Sequence, residues 1–301
     1  MLNCNGEIVI KKDSYNIIEC NHCGFKHVYP YPNAQSIAKL YTEEYYEKAQ
    51  PEYIRKVEED KEWWLEVYQE RIKQISKYVE EKQDINVLDI GSGPGYFLLA
   101  AKLEGWNETG VEPSIQAYTY SKNQTLNVYN KFFSEEITQK LPLYDVIHMN
   151  HVLEHVPHPN EILKLIWNQL KPGGIFCVAV PNDFNPFQNI LVQDQNYPSW
   201  WVSPLEHVNY FGFESLTKLL EQNDFEVLEK YTSFPMELFL LMGDKFIDNP
   251  ELGRMCHKKR KSLEMNLFEN ENINIKQNLY KSFAESGLGR DVILFARKPK
   301  L

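Results

Sequence analysis

One stretch of the chain decides the fold, and it reads Val87-Leu88-Asp89-Ile90-Gly91-Ser92-Gly93-Pro94-Gly95. The apolar, β-branched run over residues 86–90 is typical of a buried parallel strand, which the glycines then end. A helix is expected to begin directly after them. Glycines at such a point permit positive φ angles and let a ligand lie against the backbone, while the first amides of the helix favour anions. The stretch therefore predicts a binding loop between a strand and a helix.

A second strand is predicted over residues 108–112, and it ends in the carboxylate of Glu112. Nucleotide sites of α/β proteins place the acid that binds the ribose at this point. The dinucleotide fingerprint Gly-x-Gly-x-x-Gly, counted from Gly91, would need glycine at position 96, where this chain has Tyr96. Because the third glycine, Gly95, comes one position early, the pattern disfavours a nicotinamide oxidoreductase.

With Asp89 two residues before the first glycine, the pattern resembles motif I of the class I S-adenosylmethionine (SAM) dependent methyltransferases. The resemblance implies a Rossmann-like α/β fold, with a seven-stranded, mostly parallel sheet that carries helices on both faces. The last strand would enter antiparallel in the penultimate position of the sheet. The resemblance also implies SAM as the cofactor, bound by Asp89, Gly91, Ser92, Gly93, Gly95, Glu112 and Pro113.

Residues 132–135 resemble the adenine loop of this family, which often carries an Asp for the exocyclic amine. No Asp stands here in this chain. The ring of Phe133 is expected to stack on the adenine instead, with Ser134 or Glu135 accepting the amine. The predicted site thus departs from the family pattern at the adenine.

A buried strand over residues 144–149 leads into Asn150-His151-Val152-Leu153-Glu154-His155, which resembles motif II of the family. Open α/β sheets bind ligands at the carboxyl ends of their strands, so we expect Asn150 and His151 to point into the cleft. Asn150 is assigned to the cofactor and His151 is a reserve base for catalysis. His155 is expected to be structural.

The acceptor side is predicted to lie in residues 182–211. Residues 182–201 read as an irregular, aromatic segment that would form a substrate wall. The pair Glu206-His207 resembles the end of the catalytic Tyr-Asp-Glu-His sequence of sugar C-methyltransferases, although Pro204 and Leu205 replace its Tyr and Asp. A neutral sugar hydroxyl must lose a proton, and His207, oriented by Glu206 or another carboxylate, is the predicted base. An anionic acceptor would need no base, and a histidine that merely fixes the turn is the other interpretation.

Three cysteines near the N-terminus have a spacing that suits a metal. Cys20-Asn21-His22-Cys23 is a knuckle whose two thiolates can turn inward together toward tetrahedral zinc. Cys4 stands where a second pair should be, but position 7 holds Glu7 rather than cysteine. The fourth ligand could be Glu7, His22 or His27. A small β-hairpin that keeps these cysteines as buried apolar residues is the alternative.

The composition narrows the classes of partner. A net charge of −10 and a pI near 5.4 argue against nucleic acid, because binding a phosphate backbone needs a basic face. The basic run over residues 258–261 lies beside acids and indicates a solvated helix face. Neither a long apolar run nor a secretory signal is found, so no membrane span is expected. Five cysteines without framework spacing fit a reducing compartment, and we expect a cytoplasmic protein.

Five regions are predicted. They are a degenerate ribbon (1–35), a helical cap in which Tyr41 and Tyr45 would cover the cofactor (36–84), the SAM-binding core (85–234), a helical insertion (235–289) and a final core strand (290–301). The eroded ribbon resembles a subgroup associated with surface-polysaccharide and sugar modification. These features favour methylation of an oxygen, before nitrogen or carbon, in a sugar, nucleotide-sugar or phosphate or phosphoramidate precursor of a glycan. The alternative is a non-catalytic, SAM-binding partner of another methyltransferase. The sequence indicates no oligomeric state.

Overall fold

A computed structural model of the protein describes residues 4–32, 53–80, 83–268 and 272–300. Tyr41 and Tyr45, the predicted cap residues, lie outside these ranges. The chain divides into two compact units. The first unit comprises residues 1–31, 179–218 and 229–293, and the second comprises residues 32–178, 219–228 and 294–301. The boundaries of the five predicted regions stay a prediction.

The strands of the described residues are, in chain order, β1 (Gly6–Lys12), β2 (Tyr15–Cys20), β3 (Lys26–Tyr29), β4 (Asn86–Ile90), β5 (Asn107–Val111), β6 (Val128–Tyr129), β7 (Tyr144–Asn150), β8 (Leu170–Pro181), β9 (Asn209–Tyr210), β10 (Glu226–Tyr231) and β11 (Asp291–Arg297). The helices are α1 (Tyr53–Glu59), α2 (Lys61–Ser76), α3 (Tyr96–Leu103), α4 (Ile115–Asn123), α5 (Glu135–Thr138), α6 (Pro159–Gln169), α7 (Pro186–Gln195), α8 (Phe213–Glu221), α9 (Glu237–Leu241), α10 (Pro250–Phe268) and α11 (Ile273–Glu285). A short 3-10 helix spans Leu153–His155.

The predicted seven-stranded sheet is confirmed, and its order is β10-β11-β8-β7-β4-β5-β6. Strand β4 pairs in parallel with β5 and β7, and β5 pairs in parallel with β6. Strand β11 is penultimate and antiparallel to β8. Its direction follows from the hydrogen bonds that join Gly173 to Lys298 near one end and Asn182 to Arg290 near the other.

Burial explains why these segments form a two-sided sheet. Val87 and Leu88 of β4 point to opposite faces, yet neither side chain is exposed. The same holds for Val146 and Ile147 of β7. Both faces of the sheet are therefore covered, as in parallel sheets whose crossover helices pack on either side.

The N-terminal segment forms a separate antiparallel sheet of order β1-β2-β3-β9 within the first unit. Its inner side packs around Ile17, Val28 and Tyr210, together with Trp201 and Val202. Strand β3 pairs with β9 through Lys26 opposite Tyr210 and His27 opposite Asn209. The sheet thus joins β3, which follows the cysteine knuckle, to β9, which follows Glu206 and His207.

The prediction that residues 182–201 are irregular is wrong for the middle of this segment, which forms helix α7. The side chain of Asn185 accepts a hydrogen bond from the Gln188 amide at 3.0 Å, and Pro186 occupies the first turn. A side-chain cap followed by proline is a strong start signal for a helix. The aromatic content of the segment concealed this local signal.

The described residues between β10 and β11 contain the helices α9, α10 and α11. Across the described parts of the chain, no helix has both the length and the apolar character that crossing a bilayer would require.

Candidate active site

The glycine loop after β4 has three residues with positive φ: Gly91 at 69°, Gly93 at 50° and Gly95 at 85°. A Cβ atom at Gly91 would lie 2.4 Å from Cγ2 of Val152, and one at Gly95 would lie 2.5 Å from Cδ1 of Leu126. A Cβ atom at Gly93 would meet nothing within 4 Å. Packing therefore dictates glycine at the outer two positions, whereas Gly93 faces open space that a ligand can enter.

Glu112, directly after β5, connects that strand to the glycine loop through hydrogen bonds. One of its carboxylate oxygens, Oε2, accepts a hydrogen bond from the Gly93 amide, and the other, Oε1, accepts one from the Ser114 amide, each at 2.8 Å. The residue is only 4% exposed. Burial raises the pKa of Glu112 to about 7, although the two amides act in the opposite direction. The carboxylate thus holds the loop and the start of α4 in fixed positions.

This arrangement fits the predicted cofactor. Each oxygen of Glu112 that accepts one amide keeps a further lone pair for a ribose hydroxyl. Nearby, the Ser92 hydroxyl is buried and finds no hydrogen-bond partner within the part of the chain that the structure describes, and Gly93 leaves room beside the backbone. The backbone carbonyls of Glu112 and Pro113 both accept from Asn130 Nδ2 at 2.9 Å, which fixes the turn after β5. Gly93, Ser92 and Glu112 are the residues that would hold SAM.

Asp89, the first residue assigned to the cofactor, has a buried protein partner. Its Oδ1 atom lies 2.7 Å from Nδ1 of His148, which stands opposite it in the register of β4 and β7. The His148 ring stacks on Phe97 with 3.7 Å between ring centroids. Burial raises the pKa of Asp89 and lowers the pKa of His148. Sequence reasoning missed His148, although a histidine within an otherwise apolar strand was the available signal.

The remaining predicted cofactor residues also lie in the second unit. Phe133 is buried just before α5, and Asn150 is half-buried at the end of β7. Because β7 and β4 are parallel neighbours, Asn150 ends at the same edge of the sheet as the glycine loop. Their contacts with the cofactor stay predictions.

His151, the reserve base, follows Asn150 and has a left-handed backbone with φ of 54°. Its Nδ1 atom lies 3.5 Å from Oε1 of Glu154, a carboxylate that is 1% exposed. The Nε2 atom of His155 lies 3.6 Å from the same oxygen. A buried carboxylate flanked by two imidazoles therefore stands at the end of β7, and His151 is the more exposed of the two.

His207 and Glu206, the predicted base and its acid, belong to the first unit. The Glu206 carboxylate accepts from the Ser203 hydroxyl at 3.3 Å, and the His207 amide donates to the Ser203 carbonyl at 2.8 Å. The carboxylate that faces Nδ1 of His207 is that of Asp183, 3.9 Å away and almost fully buried. This distance permits an ion pair but exceeds a hydrogen bond. Sequence reasoning missed Asp183, which follows Asn182 directly after β8.

A cavity of about 420 Å³ opens in the first unit beside Asp183. Its wall includes Asn182, Phe184 and Phe211, together with residues 24–26, which directly follow the cysteine knuckle, and residues 212–215. The lining lysines have acidic partners, since Lys26 pairs with Glu19 at 3.1 Å and Lys218 pairs with Glu214 at 2.6 Å. The cavity therefore combines polar groups and aromatic rings with locally compensated cations.

A family model described as a methyltransferase domain matches residues 58–230. The chain belongs to this methyltransferase-domain family. A ubiquinone biosynthesis O-methyltransferase from Pseudomonas savastanoi pv. phaseolicola is 32% identical over 94 residues, which are 29% of this chain and 40% of that protein. A protein of the same name from Rickettsia bellii is 25% identical over 167 residues, covering 52% of this chain and 68% of that one. The chain thus spans less than half the length of the Pseudomonas relative.

A solved structure gives a further comparison. A complex from Haloferax volcanii, between the Trm112 methyltransferase activator and a methyltransferase, contains a chain that is 16% identical with a TM-score of 0.50. The match covers 83% of this chain and 96% of that chain, and it concerns the fold alone. The predicted Rossmann-like methyltransferase fold is confirmed, and the chain carries a SAM-dependent methyltransferase domain.

Proposed function

We propose that this protein is a SAM-dependent methyltransferase that moves a methyl group to an oxygen atom of a small molecule. The observation that carries the choice of oxygen is the pair formed by His207 and the buried Asp183 carboxylate. A neutral hydroxyl needs a base to remove its proton, and a histidine backed by a carboxylate is suited to that task near neutral pH. The curated relatives named O-methyltransferases support the same atom.

Gly93, Ser92 and Glu112 are proposed to bind the methyl donor. Bound SAM would supply an electrophilic methyl group, which the acceptor oxygen takes by in-line displacement while S-adenosylhomocysteine leaves. The protein's contribution is then to align the acceptor and to exclude water from the site. The amides that hold Glu112 in place prevent its carboxylate from turning away, so the ribose contact would be preorganised.

Two histidines are candidates for the base. His207 is our first choice, with Asp183 rather than Glu206 as its carboxylate partner, because a buried Asp183 oxygen faces Nδ1 of His207 at 3.9 Å. His151 with Glu154 is the second, and it ends at the same edge of the sheet as the glycine loop. In each pair the acid would orient the imidazole and stabilise its charged form after proton transfer.

The acceptor is proposed to be a sugar or related glycan precursor. Sugars are bound by carboxylate and amide groups together with aromatic faces, and the cavity beside Asp183 offers all three. Because Lys26 and Lys218 are already paired with acids, the cavity favours a neutral sugar over a nucleotide-sugar or phosphate. A neutral acceptor is also the one that requires a base.

The test is transfer of labelled methyl from SAM to neutral sugars, sugar phosphates and nucleotide-sugars, measured as a function of pH. We expect the neutral pool to be labelled and His207→Gln to lower kcat by about 100-fold or more, with loss of the acidic limb of the pH profile. His257→Gln, the same change at a histidine of helix α10, serves as the matched control. A large loss in His151→Gln with an active His207→Gln would transfer the role of base to His151. Tight SAM binding without labelling of any pool would favour the non-catalytic alternative.

A further inference from the structure

The knuckle between β2 and β3 brings two thiols to the same side of a tight turn. The Cys23 amide donates to Sγ of Cys20 at 3.4 Å, and the Gly24 amide donates to the Cys20 carbonyl at 2.9 Å. Gly24 has a φ of 75°, which a residue with a side chain would adopt only with strain. The turn therefore presents Cys20 and Cys23 as a pair of metal ligands.

Strand pairing adds the third thiol. Gly6 of β1 lies opposite Cys20 of β2, so Cys4 arrives beside the knuckle. Its Sγ atom is 3.7 Å from Sγ of Cys23, too far for a disulfide, and both cysteines are free. Two thiolates on a tetrahedral ion with Zn–S bonds of about 2.3 Å would lie about 3.7 Å apart. The two sulfur atoms are thus already at the separation that zinc requires.

His27 on β3 supplies the fourth group. Its side chain has no exposure to solvent, and its Nδ1 atom lies 2.8 Å from the Val28 carbonyl. A carbonyl can only accept, so Nδ1 carries the proton and the lone pair is on Nε2. The Nε2 atom is buried and has no hydrogen-bond partner among the described residues. Leaving such an atom unsatisfied is costly in a folded protein, which points to a missing ligand.

The ligand atoms of Cys4, Cys20, Cys23 and His27 all lie within 4.8 Å of one another. Tyr31 stacks on the His27 ring at 4.7 Å and donates its hydroxyl to Asn209, so the ring orientation is fixed from outside the cluster. The other two candidates for the fourth ligand, Glu7 and His22, are exposed. His27, from strand β3, therefore serves as the fourth ligand in place of the cysteine that position 7 lacks.

We propose that Cys4, Cys20, Cys23 and His27 bind one structural Zn²⁺ ion. Three thiolates and one imidazole are a closed zinc set, and the hydrogen bond from Nδ1 to a backbone carbonyl orients the ligating ring as in other metal sites. Strand β3 continues into the pairing with β9, and residues 24–26 line the cavity beside Asp183. The ion would hold residues 24–26, and with them this side of the cavity, in position.

The metal content of the full-length protein, purified without chelator, tests the proposal. We expect about one Zn²⁺ per chain, and Co²⁺ exchanged into the site should give the intense absorption of tetrahedral thiolate coordination. His27→Cys should keep the metal, whereas His27→Gln should lose most of it. Glu7→Gln and His22→Gln are matched controls at the rejected positions, and Cys256→Ser is a control thiol; all three should keep it.

Thiol labelling of the unmodified protein gives a second readout that does not depend on a variant that folds. Bound metal should protect Cys4, Cys20 and Cys23 from alkylation, and a chelator should expose them. Metal-free protein that also fails to bind added Co²⁺ would overturn the proposal. Retention by His27→Gln together with loss by Glu7→Gln or His22→Gln would overturn the assignment of His27. None of these readouts depends on methyl transfer, so the result stands whether or not the proposed activity is found.

Discussion

Asp89 and Glu112 are both acids of the predicted cofactor site, but their surroundings give them different tasks. Asp89 is enclosed between strands and paired with His148, whereas Glu112 accepts amides of the binding loop itself. Because Glu112 contacts the binding loop, a change in its protonation is the one expected to alter cofactor binding directly. Loss of activity after a change at Asp89 would not by itself identify a cofactor ligand.

Substitution of Asp89 should therefore act mainly on stability. Asp89→Ala removes the partner of a buried imidazole and should lower the free energy of unfolding by about 1–3 kcal/mol. Asp89→Asn keeps an acceptor for Nδ1–H of His148 and should cost less than about 1 kcal/mol. Urea unfolding measures both. If Asp89→Asn stays folded but binds SAM more than about tenfold more weakly, Asp89 is a cofactor ligand after all.

The raised pKa of Glu112 predicts a pH dependence of adenosine binding. Between the ordinary carboxyl pKa of about 4.3 and the folded value of about 7, the folded protein holds a proton here that the unfolded chain does not. This group's contribution to stability thus falls as the pH rises through that window. Ribose hydroxyls, in contrast, donate best to the ionised carboxylate. Binding should become tighter as the pH rises through about 7.

The probe for this effect is 5′-methylthioadenosine, which has the ribose and adenine but lacks the amino group that titrates in SAM. Its Kd should fall by about three- to tenfold between pH 6 and pH 8 in the unmodified protein. Glu112→Gln should remove most of this slope, and thermal melts would check that the variant folds. Equal slopes in the two proteins would mean that Glu112 does not contact the ribose.

At the scale of elements, local signals could be predicted from the sequence and partners across strands could not. The run over residues 86–95 contains its own strand, turn and helix signals, so the loop follows from local chemistry. His148 became the partner of Asp89 only through the register of β4 and β7. The sequence offered His27 beside Glu7 and His22, and only the contacts between distant segments distinguish it from them. The position of Asp183 beside His207 likewise depends on such a contact. The helix cap at Asn185 differs from these contacts between strands, because Asn185-Pro186 is a local start signal that is readable from the sequence.

The pairing of β3 with β9 predicts which segments would become less stable when the metal is removed. The Val28 amide donates to the Val208 carbonyl at 2.9 Å, and the Tyr31 hydroxyl donates to the Asn209 side chain at 2.9 Å. If Zn²⁺ fixes His27, chelation should increase amide hydrogen exchange in residues 26–29 and 208–211 by about tenfold or more. Amides of α6, which belongs to the second unit, serve as the internal control. Faster exchange confined to β1 would show that the site does not support β9.

At the scale of the whole molecule, the net charge of −10 determines which charged ligands the protein attracts. A field of this sign repels phosphate backbones and attracts cations, with a range of about 10 Å at 0.1 M salt. SAM carries one more positive charge than S-adenosylhomocysteine, because its sulfur is a sulfonium. The protein should therefore attract the methyl donor more strongly than the product that remains after transfer.

This difference predicts distinct salt dependences for two ligands of almost the same shape. Raising the ionic strength from about 0.02 to 0.3 M should weaken SAM binding by about two- to threefold and S-adenosylhomocysteine binding by less. Calorimetric titrations at a fixed pH of 8, where most Glu112 carboxylates are ionised, would measure both. Glu285→Gln, which removes one acid at the end of α11, is a control that should change the ratio little. Identical salt dependences would mean that local contacts, rather than the field of the whole chain, distinguish donor from product.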